Sequence, residues 1–427
     1  MPGIKSEKFW GRLALVTLVI STLFGCGPSS SSPTSHQAEV EFWTMQLQPQ
    51  FTDYFNDLIT QFEGRNPGVK IRWVDVPWSA MESKILTAVA AKNAPDVVNL
   101  NPDFAALLAG RNAWLDLNPL VSEEIQNLYL PNILKVNQLG DKTFGIPWYL
   151  TTQITIYNQN LLQQAGISQP PGTYQELALM AKQIKEKTGK YGFFISFVPE
   201  DAADVLQSFG QMGVPLVDDQ GQAAFNTPEG RRVFQYWVDL YQQGLLPPEV
   251  LTQGHRRAIE LYQAGELALL ITGPQFFQSI AKNAPSIAAV SAPAPQITGE
   301  TGKRTVAVMN LVIPQDSDVP QEALDFALFV TNDQNQLAFA QVANVLPSRQ
   351  AALKDPYFQK VPENTSPEAE ARIVSAQQMS QAELLLPAIE DVKKLQKIIY
   401  NHLQAAMLKE KTVDQAVADA ATAWNNR

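Results

Sequence analysis

The 427-residue chain is short of the residues on which much active-site chemistry depends. It has one cysteine, Cys26, so no disulfide and no multi-cysteine metal site can form within one copy. Its three histidines, His36, His255 and His402, are far apart and show no ligand spacing, and no metal site is expected. Positive charge is not in surplus. Lys and Arg number 32 against 42 Asp and Glu, a net charge of −10, which argues against nucleic acid as a partner because phosphate binding needs concentrated cations. No serine sits in a G-x-S-x-G elbow. Residues 299–305, GETGKRT, fall short of a phosphate loop, since Ile297 stands where the first glycine is required; they read as an exposed turn. Asp316-Ser317-Asp318 lacks the glycine and distal glutamate of a calcium loop. No cofactor is expected. A glycosidase needs only two carboxylates, so counting acids does not exclude one, but no local motif supports it.

What is present describes a folded protein with more than one core. Hydrophobic residues make up 45% and charged residues 17% of the chain, ordinary for a soluble globule, and the length exceeds one ordinary core, so two domains are expected. Lys5, Lys8 and Arg12 precede an apolar run over residues 13–24, about a dozen residues and too short for a comfortable membrane span. Leu23-Phe24-Gly25-Cys26 follows and resembles a bacterial lipobox, which implies lipidation of Cys26; a plain signal peptide is the alternative. Loss of residues 1–25 would take the net charge from −10 to −12 by removing Lys5, Glu7, Lys8 and Arg12. Residues 26–38, rich in Ser and Pro, read as a flexible tether. The expected body is held outside the cytoplasmic membrane, in a periplasmic or other extracytoplasmic space.

Beyond the tether, strand and helix patterns alternate. Residues 39–45 and 69–76 read as strands, 51–65 and 79–92 as helices, and 96–100 as a short buried strand, which implies βαβ units and a largely parallel sheet. Ligands in open α/β sheets bind beyond the carboxyl ends of strands. Asn101 and Asp103 are therefore candidates, although Asp103 could equally cap the next helix. Thr173 with Glu176 predicts a capping box at the helix starting with Tyr174. Residues 191–198 and 267–272 read as further strands.

Aromatic residues carry the rest of the signal: Trp43, Trp73, Trp78, Trp148, Tyr149, Trp237, Phe276 and Phe277. Flat rings suit the C–H faces of sugars, and the same rings build ordinary cores. Trp237, inside an amphipathic helix, reads as core. Trp148 and Tyr149 stand at the mouth of the β-rich run 151–157, which is either a core strand or a crossing between lobes.

The segments FEGRNPGVKI (62–71), APDV (94–97), FGIPWYLTTQITIYNQNL (144–161), GISQPPGTYQEL (166–177), AGELALLITGP (264–274) and LPSR (346–349), in this order and spacing, resemble the extracellular solute-binding proteins of bacterial ABC importers. The resemblance is to the carbohydrate group that includes maltose-binding and glycerol-3-phosphate-binding proteins. It implies an α/β, two-lobed periplasmic-binding-protein fold with about three crossings and a ligand cleft between the lobes. Residues 39–150 and 275–313 would form the N-terminal lobe, and residues 151–274 and 314–427 the C-terminal lobe. The first crossing would place Trp148 and Tyr149 on the cleft floor and bend at residues 151–153. Substrate contacts implied by the resemblance are Trp43, Gln46, Asn101, Asp103, Trp148, Tyr149, Phe197, Glu200, Gly273, Gln275, Phe276, Asn310 and Arg349. Maltose-binding relatives have Gly-Pro-Trp at the second crossing. Here it is Gly273-Pro274-Gln275, which loses that ring and leaves Phe276 to stack, against a long maltodextrin ligand. Arg349 suits a hydroxyl pair or a phosphate, and could instead form a buried salt bridge. The implied protein is a monomer and not an enzyme. It would bind a sugar, small oligosaccharide or polyol and dock on a membrane permease whose separate subunits use ATP. A glycerol-phosphate binder of the same fold and a secreted carbohydrate-active enzyme are the alternatives.

Overall fold

A computed structural model describes residues 37–360, 366–386, 389 and 391–427, with no side-chain description for Asp103. The expected signal peptide, the lipidation site Cys26 and nearly all of the tether lie outside the described residues.

Twelve strands are present among the described residues: β1 (Ala38–Met45), β2 (Val69–Val76), β3 (Val97–Leu100), β4 (Gln138–Leu139), β5 (Lys142–Thr143), β6 (Ile146–Thr152), β7 (Ile154–Asn158), β8 (Leu269–Thr272), β9 (Ser291–Pro295), β10 (Arg304–Val312), β11 (Leu346–Pro347) and β12 (Ala382–Glu383). The helices that matter below are α1 (Thr52–Arg65), α2 (Trp78–Ala90), α3 (Pro102–Ala109), α4 (Tyr174–Thr188), α5 (Asp204–Gln211), α6 (Pro228–Gln242), α7 (His255–Gln263), α8 (Phe276–Asn283), α9 (Pro320–Val330), α10 (Asp333–Ala343), α11 (Pro367–Gln377), α12 (Val392–Met407) and α13 (Val413–Asn425).

One sheet runs β11-β6-β10-β3-β1-β2, with β12 beside β10; a second runs β8-β7-β9; β4 and β5 form a hairpin. These two larger sheets define two lobes. In the N-terminal lobe β1 pairs in parallel with both β2 and β3, the expected βαβ pattern, and β10 lies antiparallel between β3 and β6. Phe42 on β1 meets the Phe326 ring at 5.2 Å, and Trp148 on β6 stacks on Phe339 at 5.1 Å and 25°. This aromatic hub, closed by α1, α9 and α10, is the interior of the lobe. In the C-terminal lobe β7, β8 and β9 are covered by α4, α6, α12 and α13, with Trp237, Tyr262, Tyr400 and Trp424 fully buried. The Thr173 capping box on α4 is present as expected.

The first crossing lies between β6 and β7 at Gln153, so the strand-like run 144–158 does carry the chain from one sheet to the other. The lobe boundaries differ from those expected. Residues 275–303 stay with the C-terminal lobe: β9 pairs with β7, and Phe277 and Ile280 enter its core. The chain crosses again between β9 and β10. Residues 314–347 belong to the N-terminal lobe, where α9 and α10 complete the aromatic hub and β11 pairs with β6. The third crossing runs through α11, which sends Ala371 into the C-terminal core and Ala376 into a cluster with Leu150 and Val306. Residues 192–197 are buried, but they do not form the expected strand. Their backbone groups find partners singly, as in Leu269 N–H to Gly192 O at 2.9 Å and Phe197 N–H to Val250 O at 2.8 Å. Gly192 brings this segment against α4 so closely that a Cβ there would stand 2.7 Å from the Ala181 Cα.

Candidate functional site between the lobes

The N-terminal wall is made where β1, β2 and β3 end. After β1 the chain turns sharply, with Gln46 at φ 54. The turn is pinned by Asp75 at the end of β2, whose carboxylate accepts from Thr44 Oγ1 at 2.6 Å, Leu47 N–H at 2.9 Å and Gln48 N–H at 3.1 Å. β2 ends at Val76, and after Pro77 Trp78 opens α2 with 43% of its surface exposed. Glu82, four residues on, shares that helix face. After β3, Asn101 Oδ1 accepts from Phe104 N–H at 3.0 Å and caps α3.

The C-terminal wall is the loop 199–203 with the ends of β8 and the segment before α7. Gln396 Nε2 donates to Asp201 O at 3.0 Å, and Tyr400 donates its hydroxyl to Ala202 O at 2.9 Å, so α12 holds the loop from behind. Asp201 Oδ2 accepts from His255 N–H at 2.7 Å. The His255 ring reaches Thr272 Oγ1 at 3.1 Å and meets the edge of Phe276 at 6.0 Å. Gln275 folds back over Gly273, where a Cβ would stand 2.2 Å from Gln275 Oε1. Exposed Glu200 pairs with Lys397 at 3.9 Å.

The walls touch through Lys393 near the start of α12. Its Nζ lies 3.0 Å from Glu82 Oε2 and 5.5 Å from the Phe104 ring centre. Trp78 lies one turn before Glu82 on α2 and is left exposed.

Of the expected contacts, Gln46 and Asn101 lie on the N-terminal wall, and Glu200, Gly273, Gln275 and Phe276 cluster on the C-terminal one. Asn101 does so as a helix cap. The Asp103 side chain lies outside the described residues, although its backbone is in the first turn of α3. Six expected contacts are placed elsewhere. Trp43 is 6% exposed beneath α2, with the Lys84 ammonium 3.9 Å from its ring centre. Trp148 is fully buried in the N-terminal hub and Phe197 fully buried near Trp237 and Tyr400. Asn310 is fully buried in β10, accepting from Asn137 Nδ2 at 2.7 Å. Arg349 is buried with its guanidinium 4.5 Å over Tyr129 and 3.7 Å from Asp333 Oδ1, the salt-bridge alternative. Tyr149 is half-buried against Phe339, and burial beside the Asp75 carboxylate pushes its hydroxyl pKa up. In each case a large or polar side chain expected at the cleft has found a partner inside its own lobe.

Trp78, Glu82, Phe104, Asp201, His255 and Lys393 were not singled out as contacts. Trp78 had a legible signal, an aromatic directly after a strand-ending Val-Pro. Lys393 had none, since its role depends on a partner three hundred residues away in sequence.

Residues 48–337 match the family described as bacterial extracellular solute-binding protein. A candidate oligosaccharide periplasmic-binding protein from Synechococcus sp. MITs9220 has 45% identity and a TM-score of 0.82, over 91% of this chain and 98% of that one. The GacH receptor of Streptomyces glaucescens, solved free and with acarbose, shares the fold at 21% identity and a TM-score of 0.73, over 91% and 98% of the two chains. The mannitol-binding protein of Pseudomonas aeruginosa is 23% identical over 305 residues, 68% of this chain and 69% of its own length. With the two-lobed fold, the gap between the lobes and a match spanning most of its length, the chain belongs to the bacterial extracellular solute-binding proteins.

Proposed function

We propose that the protein is the substrate-binding subunit of an ABC importer and that the gap between α2–α3 and the loop 199–203 closes on a neutral sugar, small oligosaccharide or polyol. The observation that carries this is Trp78: a large indole left 43% exposed on the wall that faces the opposite lobe. An exposed Trp near Gln46, whose Oε1 is 3.5 Å from the Trp78 backbone nitrogen, offers a flat apolar face beside an amide group, as a sugar ring requires. The 45% identity to a candidate oligosaccharide-binding protein supports the same substrate class. Ligand held by both walls favours the closed arrangement, because only that arrangement makes both sets of contacts. The closed form then presents both lobes to a membrane permease, and Cys26 carries a lipid that keeps the monomer at the membrane. Binding occurs without turnover. Arg349, the residue suited to a phosphate, lies over Tyr129 inside the N-terminal lobe, which favours a neutral ligand over a glycerol phosphate.

A thermal-shift screen of disaccharides, trisaccharides and polyols tests this, since a ligand that binds only the folded state raises the melting temperature. A rise with a sugar, accompanied by a change in tryptophan fluorescence that Trp78→Ala abolishes, is the expected result. No response to any sugar or polyol, or chemical conversion of the one bound, would sink the reading.

A further inference from the structure

The three crossings meet in a buried run of glutamines. Gln378, 3% exposed, donates from Nε2 to Thr152 Oγ1 at 2.9 Å and to Gln153 O at 2.8 Å, while its Oε1 accepts from Gln296 N–H at 3.0 Å. Gln296, also 3% exposed, accepts from Thr305 N–H at 2.8 Å and donates to Gln153 Oε1 at 2.8 Å. Gln153 donates from its own Nε2 to Asp204 Oδ1 at 2.6 Å. Thr152 and Ser375 hydroxyls share a further bond at 2.5 Å.

The direction of every amide in this run is dictated by its ends. The Thr305 backbone N–H can only donate, so the Gln296 side-chain carbonyl accepts from it and the Gln296 NH2 turns to Gln153 Oε1. The Gln153 NH2 is then left for Asp204 Oδ1. The Gln378 amide is fixed likewise by the Gln296 backbone N–H, which it accepts from, and the Gln153 backbone carbonyl, to which it donates. Each crossing therefore contributes at least one group: Thr152 and Gln153 from the first, Gln296 and Thr305 from the second, Ser375 and Gln378 from the third. Asp204 opens α5, directly after the loop 199–203 that forms the C-terminal wall. A rotation of one lobe that separated these groups would leave buried amides unpaired, which is strongly disfavoured.

We propose that Gln153, Gln296 and Gln378 are positioning residues for ligand capture, joining the three crossings into one unit and linking that unit through Asp204 to the loop 199–203. This rests on the reading that the cleft closes on a ligand. The run admits a lobe orientation only if all its bonds can be made at once, so a displacement of the 199–203 loop is felt at all three crossings.

The test uses the full chain with Cys26→Ser and spin labels on cysteines introduced at the exposed positions Gln61, in the N-terminal lobe, and Lys187, in the C-terminal lobe. Distance distributions between the labels are recorded without ligand and with maltose, for the parent, Gln378→Leu and Gln153→Leu. The expected result is a broader or shifted distribution in ligand-free variants that still melt cooperatively, with any maltose affinity of the parent reduced about fivefold or more. A purely structural role would lower the melting temperature and leave the distribution of the folded protein unchanged, and that outcome overturns the proposal. Should Gln378→Leu fail to fold, half-buried Gln153 provides the second variant. If the parent binds no sugar at all, the functional reading fails while the ligand-free distances still decide the role of the glutamines.

Discussion

Lys393 Nζ reaches 3.0 Å from Glu82 Oε2, one partner on the C-terminal lobe's α12 and the other on the N-terminal lobe's α2. The pair spans the mouth of the gap. Both side chains keep substantial exposure, so solvent screens the attraction, and the contribution to folding is about 0–1 kcal/mol. Its effect on the relation between the lobes is a separate matter. Lys393→Ala is expected to leave the denaturation midpoint nearly unchanged while reducing the salt dependence of ligand affinity, because salt weakens an exposed ion pair. Titrations at low and high salt check this; equal salt slopes in parent and variant would count against it.

Two tryptophans separate binding from folding. Trp148→Ala removes a fully buried indole from the aromatic hub and is expected to cost about 3–5 kcal/mol of stability in denaturant melts. Trp78→Ala, at an exposed position, is expected to change stability by less than about 1 kcal/mol. It should weaken sugar binding by tenfold or more, roughly the 1.4 kcal/mol or greater expected of an aromatic anchor.

Gly254 lies against the Asp201 carboxylate, where a Cβ would stand 2.6 Å from Oδ1. Gly254→Ala should push that carboxylate off the His255 N–H and move the loop 199–203. The expected outcome is weaker ligand binding with α5 and α7 otherwise folded, measured by calorimetry and circular dichroism. Unchanged affinity would show that the loop tolerates the shift.

Asp204 provides a pH prediction. Burial raises its carboxyl pKa above the usual 3.8, with Gln153 and the charge of His255 opposing the rise and the charge of Asp201 adding to it. A carboxyl whose folded pKa exceeds its unfolded one binds more protons when folded. It therefore adds stability as pH falls through the folded pKa, down to the unfolded value near 3.8, and withdraws that stability as pH rises. Asp204→Asn, which can still accept from Gln153, should flatten this part of the stability profile and leave the neutral-pH melting temperature equal or higher. Melts from neutral to mildly acidic pH measure the difference between parent and variant.

Arg349→Ala should act on folding alone. The guanidinium loses its seat over Tyr129 and its 3.7 Å approach to Asp333, a distance too long for a hydrogen bond. With Asp333 half-exposed, a loss of about 1–2 kcal/mol is expected. Ligand affinity should be unchanged, since the side chain packs within the N-terminal lobe.

The elements readable from the sequence were those set by neighbouring residues. The alternation 39–45 became β1, and Thr173 with Glu176 made its capping box because both partners lie within one turn. The first crossing came from the family resemblance, since the run 151–157 by itself fits a core strand equally well; the structure breaks it at Gln153. Trp148 was not. A strand mouth and a core strand carry the same residues, and what decides between them is Phe339 on α10, far along the chain. The lobe boundaries failed for the same reason: the neighbours of β9 and β10 are non-local pairings that no run of residues announces. Asn310 and Arg349 were expected to contact substrate, but their partners, Asn137 and Asp333, lie inside the N-terminal lobe.

The position of β10 between β3 and β6 also sets a timetable. A chain made from its amino end holds both neighbours of that strand, by Thr152, well before Arg304–Val312 exists to join them. The second lobe waits longer still, because its buried Tyr400 and Trp424 come from the last two helices. Neither half can complete its interior as an independent early product of translation. Closing either interior therefore depends on pairings between residues far apart in the chain, the kind of contact that forms slowly.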